Sequence, residues 1–505
     1  MVWVITGRSS HSKGKEQVHG PALRHRLRRC LCEKTLLWSW KHGRHGERIL
    51  SGRVSRVRRE NGLPQRLTRF ARVSAGLTGV AARGAGRALA GTRIFSASNA
   101  ADLTEVLGTL RGPVMKVAQF VATVPGALPK EVAAPLLNLQ SNAPPMGAAF
   151  VRRRMAAELG PDWEKKFRSF DRDAAAAASL GQVHRAVGKD GRRLACKLQY
   201  PNMSAAVDSD VRQLKAALGI QRSLDRTIDT REIAEEVEAR LKEELDYLRE
   251  AAHMRLYRII LGRCDDIAVP EPVANLTTTR LLTMAWLDGK PILDFEKSSL
   301  SLRNKVATAL FKAWWRPFAR YGSIHGDPHL GNYTVRTDSG INLLDFGCVR
   351  TFPPAFVRGV IDLYRALQRG DDTLAATAYR RWGFRVVTPE LVQVMNMWAK
   401  FIFTPLLDDR TRLVDDGVPA AEYGLKQANE VHAKLKALGG IRPPREFVFM
   451  DRAAIGLGGA FIRLGARLNF HRLFEEEIAD FDDAAVAARQ RGAFTRAGVP
   501  LPQSP

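Results

Sequence analysis

Apolar positions change their spacing along this chain, and the changes divide it. Residues 1–50 show little apolar periodicity, whereas from Leu63 to Ala90 a helical spacing appears, with Leu67, Phe70, Ala71, Val73 and Leu77 on one side and Arg66, Arg69 and Arg72 on another. Another helix is predicted from Asp102 to about Leu110. After Gly112 an apolar helix carries Lys116 and Gln119, three apart and so on one face. Residues 138–146 read as a loop and Val151–Leu159 as a helix. β-rich runs then begin, with a strand opening at Phe167–Phe170, an alanine-rich turn, a second strand, and the strand around Arg193–Tyr200. The spacing predicts a helix from Thr230 to about Ile260, strands at Ile267–Val273 and Arg280–Gly289, and helices at Leu302–Tyr321 and Ala355–Arg369. Residues 370–490 read as helical, with Trp382, Trp398, Phe401 and Phe403 as core and Glu475–Glu477 as a solvated face. The pattern predicts an α+β fold. Its expected parts are a basic, disordered or targeting arm (1–60), a helical extension (61–150), a strand-rich lobe (151–290), a helical lobe (291–488) and a disordered tail (489–505).

Composition adds limits to this picture. At 505 residues and 45% hydrophobic, the chain can bury one large core or two moderate ones. Residues 1–100 hold 21 Lys and Arg against four acids, a net +17 of the total +26, so the basicity belongs to the N-terminal arm. A nucleic-acid partner is therefore not expected. No apolar h-region follows the basic start, which argues against a secretory signal; an organellar transit peptide, a disordered arm and a misassigned start remain open for residues 1–50. The basic helix near Arg66–Arg72 fits an anionic membrane surface or a solvated face packed on a core. Five scattered cysteines point to reduced thiols in a cytosol-like or organellar interior. The longest apolar run, Ala453–Leu468, is broken by Arg463 and Arg467, so no transmembrane helix is expected.

The candidate chemistry is concentrated in Gly322–Arg350. His325-Gly-Asp327 is followed by Asn332 five residues after the aspartate and by Asp345-Phe-Gly eighteen after it. Phosphoryl transfer needs a carboxylate near the attacking oxygen, and a carboxylate with an amide oxygen to hold Mg²⁺. This order is that of the protein-kinase catalytic loop and metal aspartate. Upstream, Lys197 stands alone among apolar neighbours in a strand, a costly placement without a counter-charge. A kinase keeps there the lysine that holds the α/β-phosphates. Its partner is expected from the following helix, where Asp246 and Glu250 are four apart. The run Ala174–Ala178, Ser179 and Gln182 stands where a kinase places its phosphate loop, with alanines in place of glycines. Met284-Ala285-Trp286 falls at the hinge that receives adenine through its backbone. After Gly347 a helix starts almost at once, with no long activation segment and no Ala-Pro-Glu. That argues for a small or lipid-like acceptor, or for ATP hydrolysis.

Together these motifs resemble the AarF/UbiB family of atypical, ubiquinone-biosynthesis kinase-like proteins, over roughly residues 60–480. The family's K-x-G-Q helix corresponds to Lys116-Val-Ala-Gln119, with Ala118 in place of glycine. Its alanine-rich nucleotide loop corresponds to Ala174–Gln182, including Ala175, Ala176, Ala177, Ala178 and Ser179. Its E-x-D corresponds to Glu244-Leu-Asp246, its helix glutamate to Glu250, and its catalytic loop to His325–Asn332. The resemblance implies a two-lobed kinase-like fold whose N-terminal helical extension lies over the cleft, with Lys116 paired to Glu244 and Asp246. It implies ATP and Mg²⁺ as cofactors, with metal on Asn332 and Asp345, phosphates on Lys197 paired with Glu250, and Asp327 orienting the attacking oxygen. It further implies ATPase or small-molecule kinase activity at a membrane surface, supporting ubiquinone biosynthesis among quinone-pathway lipids or enzymes. The rival readings are an aminoglycoside- or choline-kinase-like phosphotransferase, which shares the His-Gly-Asp loop, and a nucleotide-gated lipid-binding scaffold without turnover.

Overall fold

The computed structural model describes residues 146–502, apart from Ser179, Pro328, residues 417–419 and 442–443, and most of 206–240. The basic arm, the helices expected before residue 145, and Lys116 and Gln119 lie outside the described residues.

Helix α1 (Ala148–Leu159) comes first, then strands β1 (Phe167–Ala178), β2 (Gly181–Gly188) and β3 (Arg193–Gln199). With β5 (Leu281–Ala285) they form an antiparallel sheet in the order β1-β2-β3-β5. Strand alternation gives this sheet two different faces. Leu194, Cys196 and Leu198 of β3 join Ala186, Val151, Met155 and Trp163 in a cluster beneath α1, while Ala195 turns to the opposite side and joins the main core. The alanine run is not a loop. It continues β1, with register shifts at Phe170/Ala174 and Ala174/Ala176, until Ala178 pairs with Gly181. Antiparallel pairing to β2 outweighs the helix propensity of alanine here.

Helix α2 (Tyr247–Leu261) follows, and strand β4 (Ile267–Ala268) leaves the first sheet to pair in parallel with β9 (Ile341–Leu343) in the second. That second sheet runs β4-β9-β8-β6, where β6 is Lys290–Pro291 and β8 is Tyr333–Val335. Between the two lies α3 (Leu300–Tyr321), capped by the Ser299 hydroxyl accepting from Leu302 N–H. Its buried Val306, Leu310, Phe311, Trp314 and Phe318 recur at helical spacing. Gly322 ends it at φ +56°, and a Cβ there would come within 2.4 Å of the Phe352 carbonyl, so both backbone angle and space require glycine. The turn feeds β7 (Ser323–His325), which pairs with β10 (Val349–Thr351).

The rest is helical: α4 (Pro354–Arg369), α5 (Asp372–Arg381), α6 (Pro389–Leu407), α7 (Ala420–Ala437), α8 (Arg445–Leu464), α9 (Phe470–Ile478) and α10 (Asp483–Ala497). The fold is thus α+β and two-lobed, kinase-like, with a helical C-terminal region. Among the described residues no helix is long and apolar enough to cross a membrane.

Four expectations are corrected. The helix read through Thr230–Ile260 is interrupted at Asp246, whose extended backbone (φ −104°, ψ 96°) starts α2 afresh. The tail from Arg489 is ordered within α10. There Phe494 is fully buried, and Gln490 Nε2 donates to the carbonyls of Tyr321 and Phe352 at 2.8 and 2.7 Å. Glu475–Glu477 is not a solvated face: Glu477 is buried against Arg316 at 2.8 Å, and Glu475 bonds Tyr364 and Arg365. Finally, Trp382 and Phe403 are core and Trp398 is half-buried against that core, but Phe401 is only half-buried, its ring 5.2 Å from that of Trp398 and tilted to it.

Phe494→Ala tests whether α10 belongs to the folded body. It is expected to lower stability by about 3–5 kcal/mol, the loss for a fully buried aromatic, measured by urea unfolding.

Candidate active site

Strand β3 carries the buried Lys197 among apolar neighbours, and α2 answers its charge. Lys197 Nζ lies 2.8 and 3.0 Å from the two oxygens of Glu250 and 3.1 Å from Asp345 Oδ2. Lys197 and Glu250 are both buried, Glu250 almost completely. Burial alone would disfavour the ammonium, but Asp345 and then Glu250 outweigh it and hold the Lys197 pKa well above its ordinary value. Lys197 is therefore a cation shared by two carboxylates. The two come from different elements, the helix α2 and the loop after β9.

Helix α2 can present Glu250 there because Asp246 caps it. The Asp246 carboxylate accepts from the N–H groups of Leu248 and Arg249 at 3.0 and 3.3 Å. Glu243 pairs with Arg249 at 2.6 Å and with Arg350 of β10 at 3.1 Å, so the turn before α2 is fastened to the strand after Gly347. Glu244 comes close to the same glycine: its Cγ would lie 3.7 Å from a Cβ built there.

The catalytic-loop motif folds as a short turn on buried support. The Nε2–H of His325 donates to the Asp345 carbonyl, and the His325 ring packs against Tyr257, Trp314, Tyr333 and Phe346. The Asp327 carbonyl accepts from Asn332 Nδ2 and Tyr333 O–H, both at 3.4 Å, and Asp327 Oδ1 accepts from His329 N–H at 3.3 Å. The Leu344 N–H donates to the Asn332 carbonyl at 3.0 Å, which sets Asn332 beside the residue preceding Asp345. Asp345 Oδ1 accepts from Gly347 N–H at 2.9 Å, leaving Oδ2 toward Lys197.

Other expected residues are placed differently. Ala175–Ala177 are exposed and Ala178 half-buried along the end of β1, while Ser179 lies outside the described residues. Gln182 points to the back of the sheet, because alternation puts it on the face of His184. Its side chain accepts from Met146 N–H at 2.7 Å, donates to the Met146 carbonyl at 3.3 Å, and contacts His184 Nε2 at 2.8 Å. At the hinge, Met284 pairs with Ala195, the Ala285 N–H donates to Glu271, and the Trp286 N–H donates to the Arg193 carbonyl at 2.9 Å. The Trp286 N–H is thus committed to the sheet. Its ring instead lies under the Arg185 guanidinium at 4.8 Å.

Two residues that sequence reasoning passed over stand in this cluster. Tyr247, directly after Asp246, places its ring 5.2 Å from Lys197 Nζ. His253 is one helical turn beyond Glu250, and its Nδ1–H donates to the Phe346 carbonyl at 3.2 Å. The three-residue spacing from Glu250 was the available signal.

The profile of the ABC1 atypical kinase-like domain matches residues 138–378. Through those residues the chain resembles the AarF/UbiB family of atypical kinases. AarF/UbiB relatives include the atypical kinase COQ8, mitochondrial, of Saccharomyces cerevisiae, 32% identical over 267 residues, covering 52% of this chain and 53% of that protein. The atypical kinase COQ8B, mitochondrial, of Rattus norvegicus is 30% identical over 276 residues, covering 54% and 52%. The chain spans about half the length of these curated relatives. A solved structure titled as the complex of Rv3197 with erythromycin, from Mycobacterium tuberculosis, superposes with a TM-score of 0.51 at 26% identity, over 74% of this chain and 94% of that one.

His253 gives the site a pH signature. Burial first, and then the nearby Arg249, push its pKa down from 6.5 to about 3. The unfolded chain takes up a proton near its ordinary value and the folded chain does not, so this contribution is complete above that value and is lost as pH falls toward the folded one. His253→Asn removes the titration. Between pH 6 and 4 its stability by urea unfolding is expected to fall about 2 kcal/mol less than the wild type's, at roughly 1.4 kcal/mol per pH unit for one proton.

Proposed function

We propose that the cleft binds Mg·ATP and works as an atypical kinase or ATPase, with a small or lipid-like acceptor or water in place of a protein substrate. The observation that carries this is Lys197 held between Glu250 and Asp345 at 2.8 and 3.1 Å, a cation presented to the cleft on a rigid base. A phosphate group is the natural third counter-charge for such a lysine.

The donor set suits Mg²⁺. Among the described residues no group of three or more His, Cys, Asp or Glu could hold a metal by itself. Asn332 and Asp345 instead offer an amide and a carboxylate oxygen, and Mg²⁺ characteristically takes one or two protein oxygens and completes its shell with water and phosphate. When bound, the ion would neutralise charge on the transferring phosphate. Lys197 would hold the α/β-phosphates, and Glu250 would keep it aimed. Asp327 would accept a hydrogen bond from the attacking hydroxyl or water and orient it. The exposed alanines of β1 leave room for close approach to the backbone beside Gly181.

The chain after Gly347 supports an acceptor other than protein. It enters β10 at Val349 and α4 at Pro354, with no length for a peptide-docking segment. The COQ8-type relatives, named as mitochondrial, support an organellar interior and a role connected with ubiquinone biosynthesis, and our reading adds that the protein works peripherally on an anionic membrane surface. The expected pairing of Lys116 with Glu244 and Asp246 would close the cleft from the N-terminal side.

Asp345→Asn retains the side chain's shape and removes a charge shared by metal and Lys197. It is expected to weaken Mg·ATP binding at least ~10-fold and to reduce ATP turnover more steeply, assayed with and without anionic liposomes. Unchanged affinity and turnover would exclude the metal assignment. Turnover of soluble alcohols without lipid would instead favour the aminoglycoside- or choline-kinase-like reading, and nucleotide binding without any turnover would favour a scaffold.

A further inference from the structure

Tyr247 is a buried hydroxyl set among charges. It is 1% exposed, and its oxygen has no hydrogen-bond partner among the described residues. Burial keeps the phenol protonated, raising its pKa against the pull of Lys197, while Glu250, Asp345 and Glu244 add to the rise. The group is thus a hydrogen-bond donor within the field of the whole catalytic cluster. Leaving such a donor unsatisfied costs about 1–3 kcal/mol, a cost the fold could avoid with phenylalanine.

The neighbouring strand shows where the hydroxyl lies. On β2 the back face carries Gln182, His184 and Ala186, so alternation puts Gly181 and Val183 on the cleft face. A Cβ at Gly181 would come within 2.1 Å of the Leu198 carbonyl and 2.9 Å of the Tyr247 oxygen. Only glycine lets the β1–β2 turn close down over this spot. The phenol oxygen therefore borders the turn, and the ring that carries it stands 5.2 Å from the Lys197 ammonium, the two groups assigned above to phosphate.

We propose that Tyr247 is a phosphate-binding residue, whose O–H donates to a phosphate oxygen of the nucleotide held by Lys197. This rests on the nucleotide reading of the cleft. It adds a neutral donor from α2 to the lysine of β3, so that the helix touches the phosphates as well as aiming the lysine. The ligand class is a nucleoside di- or triphosphate, since the contact is with phosphate and not with the base.

Tyr247→Phe removes the oxygen alone and keeps the ring beside Lys197. Wild type and variant are titrated with Mg·ADP and with adenosine by calorimetry, and the thermal unfolding of the ligand-free proteins is compared. Mg·ADP affinity is expected to fall about tenfold in the variant, the scale of one hydrogen bond to a charged group. Adenosine affinity and the ligand-free Tm should not fall. Equal Mg·ADP affinity overturns the proposal, as does a matching loss for adenosine or a lowered Tm in the ligand-free variant, either of which marks the hydroxyl as structural. Wild-type protein that binds no Mg·ADP overturns the nucleotide reading and this proposal with it, whereas wild-type binding with an unaffected variant removes this proposal alone.

Discussion

One buried ammonium organises the cleft. Lys197 could not remain charged on an apolar strand without counter-charges, and a single carboxylate inside the protein would repay little of its desolvation. The fold brings two, and they approach from different parts of the chain: Glu250 from the helix packed on the sheet, Asp345 from the end of the second sheet. Each of the three elements is fixed by needing the other two. A shift of α2 would leave Lys197 with one partner, and a shift of the Asp345 loop would leave it with the other. The ion pair thus transmits the position of one lobe to the other, and the asymmetry between breaking and replacing such a pair makes it a sensitive register of cleft geometry.

Helix α2 is the element on which this depends. Asp246 sets where it starts, Glu250 grips Lys197, and His253 holds the Phe346 carbonyl beside Asp345. These polar groups lie along one side, while Met254, Leu256, Tyr257, Ile260 and Leu261 are buried in the main core. The helix has almost no solvated face after its first turn. Glu250 and His253 are each committed to a partner, and that commitment holds the Asp345-Phe-Gly backbone in the conformation that turns the carboxylate toward Lys197. His325 reaches the same backbone through the Asp345 carbonyl. Two histidines, one from α2 and one from β7, thus bind successive carbonyls, which leaves that short peptide little freedom to turn.

The motif residues were legible because their spacing dictates the backbone path. Asp327 to Asn332 is one tight turn, and Asp345 sits where the following hairpin must end. Lys197 was legible as a lone charge in an apolar strand. What failed to show in the sequence depends on partners distant along the chain. Glu477 reads as solvated in a run of three glutamates until Arg316, 161 residues away, is packed against it. Gln490 and Phe494 read as tail until α10 covers the end of α3. Asp246 read as mid-helix because its acidic neighbours fit helical spacing, and only its backbone angles reveal the cap. The contacts of Gln182 with Met146 and His184 were not legible either, because alternation cannot be counted from a turn whose length is unknown. Spacing conveys local geometry well, but it says little about which buried polar group another part of the chain will satisfy.

The same reasoning bears on the acceptor. In this cleft the Asp345 loop is continuous with β10, and β10 is tied to β7 by strand pairing and to the turn before α2 by the Arg350–Glu243 pair. The turn carrying Glu244 and Asp246 is thereby joined to the Asp345 loop by a charge contact, in addition to the Lys197 triad. A conventional activation segment works by being free to rearrange between those two elements. Here the corresponding chain is a short strand fastened at both ends, so a phosphorylation switch of that kind has no segment to move. The physical constraint that builds the active site is also what excludes the usual way of regulating it.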